Sequence, residues 1–137
     1  MVKPLCALLT EIALFVTAQA LASPKDKGAR DAALQWLQVV DSGNYNNATL
    51  MIAQEVRDAR DWRKYLADHR SPLGRIGKRQ LAGEKRLTSI PEIPGARNYE
   101  LLRFRTAFEH KAIAMEEVTL LKTGCCWEVV DYKISDK

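Results

Sequence analysis

The sequence predicts an α+β domain in which N-terminal helices pack in the concave face of a curved antiparallel sheet. Three observations predict it. Apolar residues recur at helical spacing in the first half and alternate at strand spacing in the second, and the joints between the later segments are too short for crossover helices.

The first segment stands apart from this domain. Lys3 supplies a positive start, residues 12–18 form a short apolar stretch, and Ala20-Leu21-Ala22 fits the small-x-small rule for cleavage between Ala22 and Ser23. A membrane anchor needs about 20 uncharged apolar residues, whereas Glu11 leaves only residues 12–22 free of charge. Residues 1–22 are therefore expected to be a signal peptide, 23–28 a polar leader, and 29–137 a single domain that is periplasmic or secreted. Cys6 would leave with the signal, and no membrane span is expected in the mature chain.

From Ala29 the residues Ala33, Trp36, Leu37 and Val40 form the stripe of an amphipathic helix ending near Asp41, where Ser42-Gly43 turns it off. Tyr45 starts a second helical region running through Met51, Ile52 and Val56. Trp62, Tyr65, Leu66 and His69 resume the spacing after a break at residues 58–61. Pro72 and Gly74 end helix formation.

Residues 75–89 favour an extended segment with bulges or bends at Gly77 and Gly83, and Pro91, Pro94 and Gly95 make the next joint a loop. In residues 99–110, Leu102, Phe104, Thr106 and Phe108 alternate with Arg103, Arg105 and Ala107, which is a half-buried strand. Residues 112–122 and 125–134 complete the sheet. In the last strand Trp127 and Val129 share one parity while Tyr132 and Ile134 share the other, so a bulge near Val130-Asp131 is expected to restore a common face.

Composition narrows the function classes. With 47% apolar and 28% charged residues the chain falls among ordinary globular proteins, which excludes disordered and collagen-like classes. Its formal charge is +4. Residues 57–86 hold ten basic against four acidic side chains, a local balance of +6. Arg75, Lys78 and Arg79 within it are candidates for a salt-sensitive polyanion surface, although a solvated helix face laced with charge pairs explains the run more simply. Cys125 and Cys126 are neighbours and make no long-range staple. Two free thiols pointing to opposite strand faces are expected, with a labile ring between neighbours as the alternative. With only these cysteines, His69 and His110 in the mature chain, no metal site is expected. No phosphate-binding glycine loop or nucleophile elbow occurs, so no cofactor is expected either.

Several stretches carry a family resemblance. These are residues 36–45 (Trp-Leu-Gln-Val-Val-Asp-Ser-Gly-Asn-Tyr), Arg70-Ser71-Pro72-Leu73-Gly74, Arg79, Pro94-Gly95 before Tyr99, Met115-Glu116-Glu117-Val118-Thr119-Leu120, and Trp127-Glu128-Val129 with Tyr132 and Ile134. Together they resemble an exported bacterial family of unknown function, family 4019, over nearly the whole mature chain. The resemblance implies a cone like that of nuclear transport factor two or cystatin, and no established activity. Two departures stand out: Glu117 replaces a threonine, and Asn47-Ala48-Thr49-Leu50 replaces a Ser-Trp pair.

Glu116 leads the candidate site residues, because its parity with Ala114, Val118 and Leu120 turns its carboxylate inward. Burial would make it a weak candidate general base, with Tyr99, Tyr132 and Trp62 as pocket residues, as in an isomerase or hydratase. A pair with Arg79 or Arg70 would make it structural, and Arg70 is expected to fasten the Pro72 turn through carbonyl bonds. The leading expectation is a non-enzymatic binding domain that takes a small apolar ligand or a protein. A homodimer stays open, and nucleic acid is disfavoured.

Overall fold

The computed structural model describes residues 28–136, so the expected signal peptide and the leader up to residue 27 lie outside the described residues. Helices come first: α1 (Ala29–Asp41), α2 (Tyr45–Leu50), α3 (Gln54–Arg57) and α4 (Trp62–His69), then a 3-10 turn at Ser71–Leu73. Four strands follow, β1 (Ile76–Leu87), β2 (Tyr99–Phe108), β3 (Lys111–Thr123) and β4 (Cys126–Ser135), paired antiparallel in the order β1-β2-β3-β4. The α+β class is as the pattern of periodicities predicts.

α1 buries Ala33, Trp36, Leu37 and Val40, the stripe expected from spacing. The continuous helical region expected from Tyr45 to Val56 is instead two short helices. Between them Ile52 bridges Val129 in parallel, and Ala53 N donates to the Val129 carbonyl at 2.8 Å. The interruption gives an otherwise unpaired β4 edge group its partner, which outweighs two more residues of helix. Asn44 and Asp61 cap α2 and α4, accepting from Asn47 N and Lys64 N.

The turn after α4 requires glycine. Gly74 has φ +80°, and a Cβ there would lie 2.7 Å from Glu109 Oε1 and 2.8 Å from His110 Cδ2. β1 and β2 shift register at Gly77 and again between Leu81 and Gly83. In β4, Thr119 faces Asp131 while Leu120 faces Val129, leaving Val130 as the extra residue. This is the expected bulge. It puts Val129, Tyr132 and Ile134 on the helix-bearing face, opposite Leu120, Val118 and Glu116.

That face carries the core, with Phe104, Leu102, Val118, Leu120 and Tyr132 packed against Trp36, Leu37 and Leu66. Trp36 and Tyr132 meet edge to face, 5.1 Å apart, and the indole N–H donates to the Ala48 carbonyl at 2.9 Å. The other face is solvated and basic over its middle, while Tyr99 and Leu121 at its β1–β2-loop end are buried. Lys78, Lys85, Arg103, Arg105 and Lys133 project from it, with Glu117 paired to Arg103 at 3.0 Å. The loop between β1 and β2 closes through Arg97 N donating to Thr88 O, and it contributes Ile93 to the core.

Candidate functional site

The most concentrated chemistry lies where the end of α1 meets the helix-bearing face of the sheet. Strand register assembles it. Arg79 stands opposite Thr106, Glu116 opposite Phe104 and Ile134, and Tyr132 opposite Val118, so Arg79, Thr106, Glu116 and Tyr132 share one face and reach one another along diagonals.

Glu116 is completely buried and both carboxylate oxygens are occupied. Oε1 accepts from Arg79 Nε at 2.8 Å and Thr106 Oγ1 at 2.6 Å. Oε2 accepts from Arg79 Nη2 at 3.2 Å and the Tyr132 hydroxyl at 2.5 Å. The guanidinium thus holds the carboxylate as a bidentate fork. Its outer edge grips Asp41, Nη1 to Oδ2 at 2.8 Å and Nη2 to Oδ1 at 3.0 Å. Asp41 is the last residue of α1, whose final turn has no basic residue. A carboxylate there faces the negative end of the helix dipole, and Arg79 and Arg70 offset that penalty.

Arg70 caps the end of α4 and is buried. Nη1 donates to the Gly74 carbonyl at 2.7 Å, Nη2 to Asp41 Oδ1 at 3.2 Å, and the guanidinium lies 4.4 Å from the Phe108 ring centre. It fastens the Pro72 turn to the network, while its Nε is buried with no partner.

Electrostatics follow from this packing. Burial by itself would lower the Arg79 pKa, but hydrogen bonds and charge from Asp41 and Glu116 outweigh it and hold the guanidinium firmly protonated. Burial, reinforced by the Glu116 charge and hydrogen bond, pushes the Tyr132 hydroxyl well above the ordinary tyrosine value. Tyr132 is therefore a neutral donor to the Glu116 carboxylate.

The other sequence candidates fall elsewhere. Tyr99 is buried at the far end of β2 on the opposite parity, its hydroxyl has no hydrogen-bond partner, and burial raises its pKa. It does not join Glu116 and Tyr132. Trp62 is buried, donates to Val56 O at 3.1 Å, and borders a surface cleft of about 620 Å3 with Leu50, Arg57, Asp58, Arg60 and Arg63. Arg60 lies 4.6 Å from the Trp62 ring centre and 4.5 Å from that of Tyr65. His69 is exposed and stacks on Tyr65, and His110 sits in the β2–β3 turn. Arg75, Lys78 and Arg79 do not form one surface. Arg79 points into the network, Lys78 lies on the solvated face, and Arg75 stands 3.9 Å from Glu109.

The cysteines depart from the expected pair of free thiols on opposite strand faces and follow the alternative. Cys125 and Cys126 are bonded to each other and both are exposed. Cys125 belongs to the hairpin turn, where strand alternation does not hold, so the two side chains are not forced to opposite faces.

Sequence reasoning overlooked Asp41 and Thr106 as partners. Thr106 carried a usable signal in its parity with Phe104, one diagonal from Glu116. For Asp41 the signal was a carboxylate closing a helix that lacks basic residues in its last turn. Among the described residues, no group of three or more His, Cys, Asp or Glu side chains is placed to hold a metal ion, and no helix is long and apolar enough to cross a membrane.

No curated protein and no solved structure matches the chain. The family described as protein of unknown function (DUF4019) matches residues 32–132, and the chain belongs to that family.

Proposed function

We propose that the chain is an exported, non-enzymatic domain that binds a protein partner at its surface. The observation that carries this reading is the Glu116 carboxylate. It is the best-placed acid for catalysis, yet both oxygens accept hydrogen bonds and it lines none of the described cavities. A general base needs a substrate proton within hydrogen-bond reach. The space between helices and sheet is filled by Trp36, Leu37, Phe104 and Tyr132, which disfavours an enclosed apolar ligand.

The Trp62 cleft suits a protein partner. Leu50 on its wall is 64% exposed. Arg57 is held by the Leu50 and Ile52 carbonyls, Arg60 by stacking, and Arg63 by Asn46. Pre-positioned arginines beside an aromatic and an exposed leucine are the ingredients of an interface anchor. Lys3, the apolar stretch and Ala20-Leu21-Ala22 support export.

The test places a photo-crosslinking residue at Leu50, and separately at Ile113 on the far face, in the full chain expressed in its native cell. Expected are a mature N-terminus at Ser23 in the envelope fraction and one discrete protein adduct from position 50. Arg63→Glu should abolish that adduct, and position 113 should give none. A chain beginning at Met1 in the cytosol, or turnover of an enolisable substrate that Glu116→Gln abolishes, would overturn the reading.

A second reading is anionic-surface binding by the solvated sheet face, favoured by Lys78, Lys85, Arg103, Arg105 and Lys133 standing together with Glu117 alone paired among them. Salt-sensitive retention on heparin, reduced by reversing Lys78, Arg105 and Lys133, supports it. Unchanged retention removes it.

A further inference from the structure

The tip of the β3–β4 hairpin carries chemistry that neither the buried network nor the Trp62 cleft uses. Gly124 and Cys125 form a two-residue turn between the paired residues Thr123 and Cys126, and Gly124 supplies the positive φ, +63°, that such tight hairpins need. The bond between Cys125 and Cys126 closes the smallest ring two cysteines can make, since a single peptide unit separates their Cα atoms by 3.8 Å. Unconstrained disulfides span a wider Cα separation, so a ring of this size is held less tightly than a long-range staple. Both cysteines are exposed, and they are the only two cysteines among the described residues.

The position of the ring gives it a readout. Immediately beneath it Lys122 pairs with Trp127 across the hairpin, with the ammonium 5.8 Å from the indole centre. These two residues, with Arg86, Thr88, Asn98 and Tyr99, line a cleft of about 220 Å3. Cys126 directly precedes Trp127, and Thr123, its partner across the hairpin, directly follows Lys122, so the ring and the wall share the same turn.

We propose that Cys125–Cys126 is a thiol–disulfide exchange site for an external dithiol, and that its redox state controls the order of the cleft wall formed by Lys122 and Trp127. In the forward step a thiolate of the dithiol attacks one sulfur of the ring. The sulfur–sulfur bond breaks, and the other cysteine leaves as a thiolate that takes up a proton. The second thiol of the partner then attacks the mixed disulfide, releasing the remaining cysteine. The dithiol ends as a disulfide, and the protein gains two electrons and two protons. Oxidation reverses each step. The proposal stands apart from the protein-partner reading, because it concerns a different end of the molecule and a different chemistry.

The experiment equilibrates the full purified chain in buffers running from oxidised to reduced glutathione or dithiothreitol. Free thiols are trapped by alkylation, and the tryptic peptide of residues 123–133, which excludes Cys6, is weighed. Expected is a peptide without label, lighter than the dithiol form by two hydrogens, in oxidising buffer. In reducing buffer it should become doubly labelled, and the conversion should reverse. On reduction the amide exchange at Lys122 and Trp127 should accelerate several-fold and the Trp127 emission should shift. Trp127→Phe should remove the emission change, and Cys125→Ser should give the fast-exchanging hairpin in every buffer. Double labelling in oxidised glutathione, or intermolecular disulfides in place of the ring, would overturn the exchange site. A ring that opens and closes with no change at Lys122 or Trp127 would overturn its control of the cleft.

Discussion

Two tyrosines buried on the same sheet sit in opposite circumstances. Tyr132 donates to Glu116 within a connected set that runs through Arg79 to Asp41 and Arg70, whereas the hydroxyl of Tyr99, near the β1–β2 loop, has no partner. The ring of each packs in the core, so the apolar contribution is similar in kind. What differs is the polar atom. A buried polar group that is satisfied becomes expensive to disturb, because its partners are left without solvent or bond, while an orphaned one already carries the desolvation penalty in the folded state. The first region defines one arrangement of helices on sheet. In the second, the Tyr99 side chain is held by packing alone.

Substitutions that separate these regions should differ in size and even in sign. The largest effect is expected from Arg79→Met, which leaves Glu116 buried without its cation and Asp41 at a helix end with Arg70 alone. A loss of about 3–5 kcal/mol in urea unfolding follows from breaking a buried ion pair on one side. Tyr132→Phe is next, at about 2 kcal/mol, for one hydrogen bond to a charged acceptor. Its effect also depends on pH. The raised folded pKa of Tyr132 means the native state keeps a proton that the unfolded chain releases, so this stability is complete below the ordinary value near 10 and declines as pH climbs above it toward the folded value. The gap between parent and Tyr132→Phe in thermal melts should therefore narrow above about pH 10. Tyr99→Phe is the smallest: it removes an orphaned hydroxyl, so stability should stay within about 0.5 kcal/mol of the parent or rise by about 1 kcal/mol.

The contrast also explains what was legible in the sequence. Strand parity turned Glu116 inward, because register depends on alternation that can be read residue by residue; of the two arginines named as its alternative partners, Arg79 holds it and Arg70 reaches Asp41 instead. The same alternation located the Val130 bulge. Asp41 entered the network through the angle at which α1 meets the sheet, which no local pattern encodes. The break at Ile52–Ala53 answered to the carbonyl of Val129, almost eighty residues later, and local spacing could not foresee it. The cysteine pair was misplaced for a related reason: alternation was extended one residue into a turn, where it no longer applies.

The account rests on Arg79 and Glu116 acting as a structural clasp, and a double-mutant cycle in urea unfolding tests that most directly. With Arg79→Met, Glu116→Met and the double variant, the pair should show a coupling of at least about 1.5 kcal/mol, and the double variant should be more stable than Arg79→Met alone. Losses that add to within about 0.5 kcal/mol would contradict it.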